Sequence, residues 1–335
     1  MMIGLSNAMV TEPGAWTQTD HSTDAMNLIE LQDWTTETSN DLDDSIPWSA
    51  LIVVVFVAPI IALIGMVGNG IVLWFLGFRI KRNKFTVYIL NLAIADILFL
   101  LSHMVALSFS ILSILGYFHF NIETVISIII FLYLFGYNTS QYFLTAISAE
   151  RCLSILYPIW YHCQRPKHLS SILCAVLWAL ASLVAGIDYF ICLDDMYFSE
   201  NSENQLRSCR AVSFFIFLLT FLVFTPIMIT SSLIILIKVW RSSLRRHPPK
   251  LYIIIVITVA LFLASSIPFR VFLFICNYNQ KFPSIIFFTC CILLSTINSC
   301  LNPLVYFCLG SRKRRRAKRS ITEVLQGVFK DETES

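Results

Sequence analysis

Seven long apolar segments, separated by short polar joints, make up most of the chain after residue 48. Each is long enough to cross the hydrocarbon core of a bilayer as a helix, which takes about 20 mostly apolar residues. The pattern therefore predicts an all-α membrane protein in which a bundle of seven transmembrane helices occupies residues 48–310. The predicted segments cover about residues 49–77, 86–113, 123–153, 169–193, 211–239, 251–276 and 284–308.

The two ends of the chain differ from this bundle in composition. Residues 1–47 are rich in acids, Ser and Thr and contain no Lys or Arg, which predicts a disordered acidic segment. Residues 311–335 begin with the basic run SRKRRRAKRS, and SITEVLQGVF then places apolar residues at helical spacing. We expect the basic run to contact anionic lipid headgroups rather than nucleic acid, and the apolar residues to form a short amphipathic helix.

Composition and charge agree with a membrane protein. Hydrophobic residues make up 57% of the chain and charged residues only 13%, about half of the share of roughly 25% in soluble domains. Lys and Arg concentrate in alternate joints, whereas the joints on the other side hold only Arg207, Arg210 and Lys281. The positive-inside rule then predicts a multi-pass protein of the plasma membrane with an extracellular N-terminus and a cytoplasmic C-terminus.

Cys192 and Cys209 flank the acidic joint between the fourth and fifth segments. In the predicted orientation this joint faces the oxidising exterior of the cell, where disulfides form and persist. We therefore predict a bond that pins the two segments together. Two free thiols are the alternative.

Several polar side chains lie inside the apolar segments, where such groups are costly and often functional. Together they suit a shared proton, a bound small cation or a water network, and a static structural network is the alternative. One lies in the first segment, one in the second, one in the third and three in the seventh: Asn69, Asp96, Ser140, Asn298, Ser299 and Asn302.

An acid and a base, Glu150 and Arg151, stand side by side near the end of the third segment. The carboxylate can hold the guanidinium while the bundle is closed, and its release would expose a cationic group with several donors to a partner. An interfacial ion pair without a switching role is the alternative. Pro226, Pro268 and Pro303 lie in three other segments, where proline kinks a helix and lets a bundle bend.

A set of short motifs follows in fixed order along the chain. They are GN at 68–69, NLAIAD at 91–96, ERC at 150–152, Trp178, Pro226, PF at 268–269 and NPLVY at 302–306. Over about residues 48–330 the set resembles the rhodopsin-like G-protein-coupled receptors, and longer stretches such as YLFGYNTSQYFLTAIS are similar to the Mas-related receptors. The resemblance implies a rhodopsin-like bundle, no enzymatic activity, and activation of a heterotrimeric G protein of the Gq or Gi class.

The resemblance also implies roles for individual residues. The residues for G-protein coupling and switching are Glu150, Arg151, Asn302, Pro303 and Tyr306, with Glu150 restraining Arg151 at rest. The polar side chains inside the segments would form a sodium and water pocket, from Asn69, Asp96, Ser140, Asn298, Ser299 and Asn302. Na⁺ at Asp96 and Ser140 would act there as an allosteric ion, and no other cofactor is implied.

Three departures from the rhodopsin-like pattern affect this interpretation. Residues 113–135 contain no cysteine, and Mas-related receptors similarly bridge the fourth and fifth helices, which supports the bond between Cys192 and Cys209. Ser266 stands where a tryptophan is expected. Residues 238–262 contain no acid, so Arg151 lacks the usual carboxylate partner on the sixth helix and we expect appreciable basal activity.

The ligand is expected to be a peptide. Tyr133 stands where amine receptors carry an aspartate, which argues against a monoamine. By resemblance, Asp188 matches an acid that pairs with cationic peptides, and Arg270 would meet a carboxylate. A cationic or angiotensin-like peptide carries the charges to match them.

Other functions stay open from the sequence. A non-signalling modulator that dimerises with another receptor would keep the same fold. A transporter would need a chain of acids that relays protons. Asp96 could carry a proton, but the other segments offer no such chain. Arrestin is a further candidate partner, although the tail carries few Ser and Thr residues.

Overall fold

A computed structural model describes residues 52–79, 84–114, 122–166, 168–193, 203–243, 250–279 and 285–311. Within these ranges the chain forms seven helical rods, α1 to α7, and no strand, which confirms the predicted all-α seven-helix bundle. The acidic N-terminal segment, the basic run and the predicted amphipathic helix lie outside the described residues.

Four of the rods are uninterrupted α-helices and three include π-helical stretches. The uninterrupted rods are α2 (Thr86–Ile114), α3 (Ile122–Leu156), α6 (Lys250–Asn279) and α7 (Ile285–Ser311). The rod α1 is Ala58–Trp74 with π-helical Val53–Val57 and Phe75–Arg79 at its ends, and α4 is Leu169–Asp188 continued by π-helical Tyr189–Leu193. The rod α5 joins Glu203–Leu218, π-helical Leu219–Phe224 and Thr225–Ser243.

Six of the described rods contain a stretch that is long and apolar enough to cross a membrane. The stretches are Ala58–Arg79, Thr86–Phe109, Leu169–Cys192, Leu206–Lys238, Val259–Cys276 and Ile286–Pro303. The remaining rod, α3, has 35 residues and is therefore about 52 Å long, and its second half carries a dense series of buried polar side chains. These side chains form most of the contacts described below.

The rod α3 lies at the centre of the bundle. It packs against α2, α4 and α5, and less extensively against α6, while α7 packs against α1 and α6. We term the end of the bundle that carries Arg151 the arginine end, and the opposite end, where Cys192 meets Cys209, the disulfide end. The disulfide confirms the predicted pairing and ties α4 to the start of α5.

Gly136 allows α2 and α3 to approach each other closely. A Cβ atom at this position would lie 2.8 Å from the backbone nitrogen of Phe99, a distance that side-chain carbons do not tolerate without a shift of the backbone. Asp96 lies about one turn from Phe99, and Ser140 about one turn from Gly136. The missing side chain thus lets the polar groups of the two rods meet.

Candidate functional site

Asp96 is fully buried in the middle of the bundle and holds three rods together. The Ser140 hydroxyl of α3 donates a hydrogen bond to Asp96 Oδ1 at 2.8 Å. The Asn302 amide of α7 donates to Oδ2, also at 2.8 Å. Each carboxylate oxygen therefore has a donor, as a buried acid requires.

The other members of the predicted polar pocket surround this centre in different ways. Asn69 donates through Nδ2 to the carbonyl oxygens of Gly65 and Ser299, both at 3.0 Å, and so ties α1 to the backbone of α7. Asn298 and Ser299 line a small cavity together with Ser140. Most of the residues that line it carry a hydroxyl or an amide group, which suits a water molecule or a small ion.

The residues around Asp96 fit a small hard cation. Such ions prefer carboxylate, hydroxyl and amide oxygens, and Asp96, Ser140 and Asn302 provide one of each. Oδ1 of Asn302 is buried and has no hydrogen-bond partner among the described residues, so an acceptor remains for an ion or a water molecule. Sodium binding here stays a prediction.

At the arginine end, Glu150 contacts a second arginine that the sequence did not single out. Arg165, which follows the short Trp160–Gln164 helix, donates to Glu150 Oε1 at 2.6 Å. The Tyr88 hydroxyl donates to the same oxygen at 2.9 Å, and Arg165 also donates to Ser170 Oγ at 2.8 Å. Glu150 thereby joins α2, α3 and α4 with the loop between α3 and α4.

Arg151 is 2% exposed, and its guanidinium lies over the ring of Phe85, with Cζ 3.5 Å from the ring centroid. Phe85 in turn stacks on Tyr161, with centroids 5.5 Å apart and planes 20° from parallel. Burial, and then the negative charge of Glu150, raise the pKa of the Tyr161 phenol, which stays neutral. Arg151 is thus covered by aromatic residues rather than presented to a partner.

At the disulfide end, the two predicted ligand-binding charges lie in the interior of the bundle. Arg270 of α6 is buried and donates through Nη2 to Asn138 Oδ1 of α3. Asp188, at the end of Leu169–Asp188, is only 5% exposed. Its carboxylate forms no hydrogen bond or ion pair within the described part of the chain, although it interacts electrostatically with Arg270.

The comparison with known proteins agrees with this arrangement. Residues 68–306 match the model of the 7 transmembrane receptor (rhodopsin family). Proto-oncogene Mas of Rattus norvegicus is 46% identical over 278 residues, 81% of this chain and 82% of that protein. Mas-related G-protein coupled receptor member H of Rattus norvegicus is 43% identical over 306 residues, 90% and 92% of the two chains.

The chain belongs to the Mas-related branch of the rhodopsin family of seven-transmembrane receptors. The predicted family is therefore confirmed. It follows that the receptor is a multi-pass membrane protein and not an enzyme, and that its partners are a ligand and a heterotrimeric G protein.

The receptor replaces the expected helix-6 tryptophan with a contact from α3. The Tyr137 hydroxyl donates to the carbonyl oxygen of Ser266 at 2.8 Å, and the guanidinium of Arg270 lies 5.1 Å from the Tyr137 ring centroid. Tyr137 and Ser266 also line the cavity beside Ser140. Tyr137 therefore lies between the polar groups of the disulfide end and those around Asp96.

Tyr133, predicted to bind the ligand, and Tyr306 and Pro303, predicted to act in switching, complete the set of predicted residues. Tyr133 packs in an aromatic cluster with Phe99 and Phe269, at centroid distances of 4.8 and 5.7 Å. Its hydroxyl is buried and has no hydrogen-bond partner among the residues described. Tyr306 lies in α7, beyond the residues whose side chains are described, whereas Pro303 is buried against Gly68.

Proposed function

We propose that the receptor binds a peptide at the disulfide end and promotes nucleotide exchange on a G protein of the Gq or Gi class at the arginine end. In this proposal the disulfide end faces the outside of the cell and the arginine end the cytoplasm, as the distribution of Lys and Arg predicts. The observation that carries the ligand assignment is the buried carboxylate of Asp188, which has no hydrogen-bond partner among the described residues.

A buried carboxylate without a partner is costly, and a cationic ligand group would relieve that cost. Asp188 offers such a group one acceptor in a site from which water is largely excluded. Arg270 holds the opposite charge on the neighbouring α6 and can exchange its contact with Asn138 for a ligand carboxylate. A peptide that carries both charge signs therefore suits the site best.

At the other end of the bundle, signalling requires that Arg151 become accessible. In the arrangement described here its guanidinium is buried against Phe85, so it cannot contact a cytoplasmic protein. We therefore assign this arrangement to the resting receptor. An agonist activates by binding more tightly to the arrangement in which Arg151 is uncovered. Sodium at Asp96 would favour the resting arrangement by binding that one more tightly.

The first experiment tests G-protein coupling. G-protein dissociation is recorded in cells across a panel of Gα classes, without ligand and with basic and angiotensin-like peptides, for the wild type and Arg151→Ala at matched surface expression. We expect a signal that Arg151→Ala abolishes and that the control Arg241→Ala, at an exposed position of α5 at the same end, retains. A signal that persists in Arg151→Ala argues against the assigned role.

The second experiment tests the ligand site with the peptide that gives the strongest signal. Asp188→Asn keeps the size of the side chain and removes its charge, and we expect roughly a tenfold or greater loss of potency because a desolvated charge pair is lost. An analogue of the peptide whose basic side chains are replaced by neutral ones should have the same potency on Asp188→Asn and on the wild type. Arg207→Gln is the control, since it changes one exposed charge at the same end. Equal potency in Asp188→Asn and the wild type would refute the assignment.

A further inference from the structure

We propose that Phe85 restrains Arg151 at rest, acting as an aromatic substitute for an acid on α6. This inference rests on the proposed role of Arg151 in G-protein coupling. Phe85 is a positioning residue, since it acts on the partner only through Arg151. Its position directly before α2 gives the sequence no motif that would mark it.

The contact between the two side chains is close and dry. Arg151 Cζ lies 3.5 Å from the Phe85 ring centroid, well within the roughly 6 Å at which a cation and an aromatic face attract each other. Phe85 is 7% exposed and Arg151 is 2% exposed. Because water is excluded from both groups, the attraction lies toward the strong end of its range.

A second layer of residues holds the Phe85 ring in place. The Phe85 ring also stacks on the Tyr161 ring, with centroids 5.5 Å apart. Lys84 Nζ and Arg165 Cζ both lie 5.1 Å from the Tyr161 centroid, and Lys84 also donates to the Tyr161 carbonyl oxygen at 2.8 Å. The loop between α3 and α4 therefore fixes the ring against which Arg151 packs.

The sequence of α6 explains why such a restraint is needed. Residues 238–262 contain no acid, so α6 offers Arg151 no carboxylate at the arginine end. An aromatic face attracts the guanidinium less strongly than a carboxylate does, yet it stabilises a buried cation without a second charge. Arg151 must leave this ring before it can contact a partner, so the contact stabilises the resting arrangement.

The decisive experiment compares Phe85→Leu with Phe85→Tyr in the full-length receptor. Ligand-free G-protein dissociation is measured across the same Gα panel at matched surface expression. Leu removes the aromatic face, and the range of cation–π energies corresponds to a roughly two- to thirtyfold shift toward the uncovered arrangement. We expect basal activity to rise in Phe85→Leu and to return toward the wild-type level in Phe85→Tyr, which keeps the ring.

The matched control is Phe78→Leu, because Phe78 is an aromatic residue of α1 at the same end and is 77% exposed. It should leave basal activity unchanged. A Phe85→Leu receptor with wild-type or lower basal activity overturns the restraint, and so does a Phe85→Tyr receptor that behaves like Phe85→Leu. Loss of all signal in Arg151→Ala together with no effect of Phe85→Leu would refute the restraint alone and leave the proposed function intact.

A thermal-unfolding cycle tests the contact without a ligand or a G protein. The purified full chain is compared with Phe85→Leu, Arg151→Leu and the double variant. If the two side chains stabilise each other, Phe85→Leu lowers Tm by less in the Arg151→Leu background than in the wild type. Equal shifts in both backgrounds overturn the proposal.

Discussion

Arg165→Ala should destabilise the receptor more than any exposed arginine does. Arg165 and Glu150 form an ion pair at 2.6 Å, and their side chains are 0% and 6% exposed. Among the described residues, the substitution leaves the Tyr88 hydroxyl as the donor to Glu150 Oε1 and removes the donor to Ser170. It therefore leaves a buried negative charge that one neutral hydrogen bond cannot offset.

The expected magnitude follows from the burial of the pair. Breaking a buried ion pair by removing one partner costs about 3–5 kcal/mol, and we expect the lower end, about 3 kcal/mol, because this pair lies at an end of the bundle. A long chain loses about 2 °C of Tm per kcal/mol, so Tm should fall by about 6 °C. Glu150→Gln in the same chain removes the stranded charge and should recover part of this loss.

The assay is thermal unfolding of the purified chain in detergent, followed with a thiol-reactive fluorescent dye. The receptor suits this readout because Cys152, Cys174 and Cys291 are free and buried and become reactive only when the bundle opens. Arg241→Ala is the control, since Arg241 is exposed. The reasoning fails if Arg165→Ala and Arg241→Ala give the same Tm, or if adding Glu150→Gln lowers Tm further.

Four further predictions follow from the bundle. Asp96→Asn removes the charge that would hold Na⁺, so Tm in NaCl should exceed Tm in choline chloride for the wild type and not for the variant; an unchanged difference would argue against the site. Cys192→Ser opens a disulfide of sequence separation 17, which should cost about 3 kcal/mol, lower Tm and surface expression, and make Tm insensitive to a reductant that lowers it in the wild type. Gly136→Ala places a Cβ 2.8 Å from the Phe99 nitrogen, and overpacking of this kind costs about 1–3 kcal/mol, again measured as a fall in Tm. Asn138 lies in the only Asn-x-Ser/Thr sequence of the chain and is fully buried, so treatment with an N-glycosidase should leave the gel mobility unchanged, and a shift would contradict its burial.

The helices were predictable from the sequence because a bilayer admits few solutions. A chain that crosses lipid must satisfy its backbone internally, over a length that the hydrocarbon thickness sets. The predicted segment 86–113 became Thr86–Ile114, and 123–153 became Ile122–Leu156. The fifth segment was predicted to begin at 211, yet its helix begins at Glu203, because the polar residues before 211 continue the helix beyond the apolar stretch.

The site residues were predictable from the sequence only where a polar side chain stands out within an apolar segment. An acid and an amide inside apolar segments must find partners, and Asp96 indeed meets Asn302. The partner of Asn69 is the backbone carbonyl of Ser299, a group that every residue has and that no sequence pattern marks. Phe85 and Arg165 lie in joints between helices, where Arg165 counted only as one of several loop charges.

The rod α3 connects the two ends of the receptor because it contributes a residue to each polar group. Asn138 meets Arg270 at the disulfide end, Ser140 meets Asp96 in the middle, and Glu150 anchors the arginine end. Twelve residues separate Asn138 from Glu150, a distance of about 18 Å along a helix. Coupling between two sites requires an element whose position both of them bias. Under the proposed function, a ligand carboxylate that took Arg270 from Asn138 would act directly on α3. Through Tyr137 it would also act on the backbone of α6, without a rotating tryptophan at Ser266.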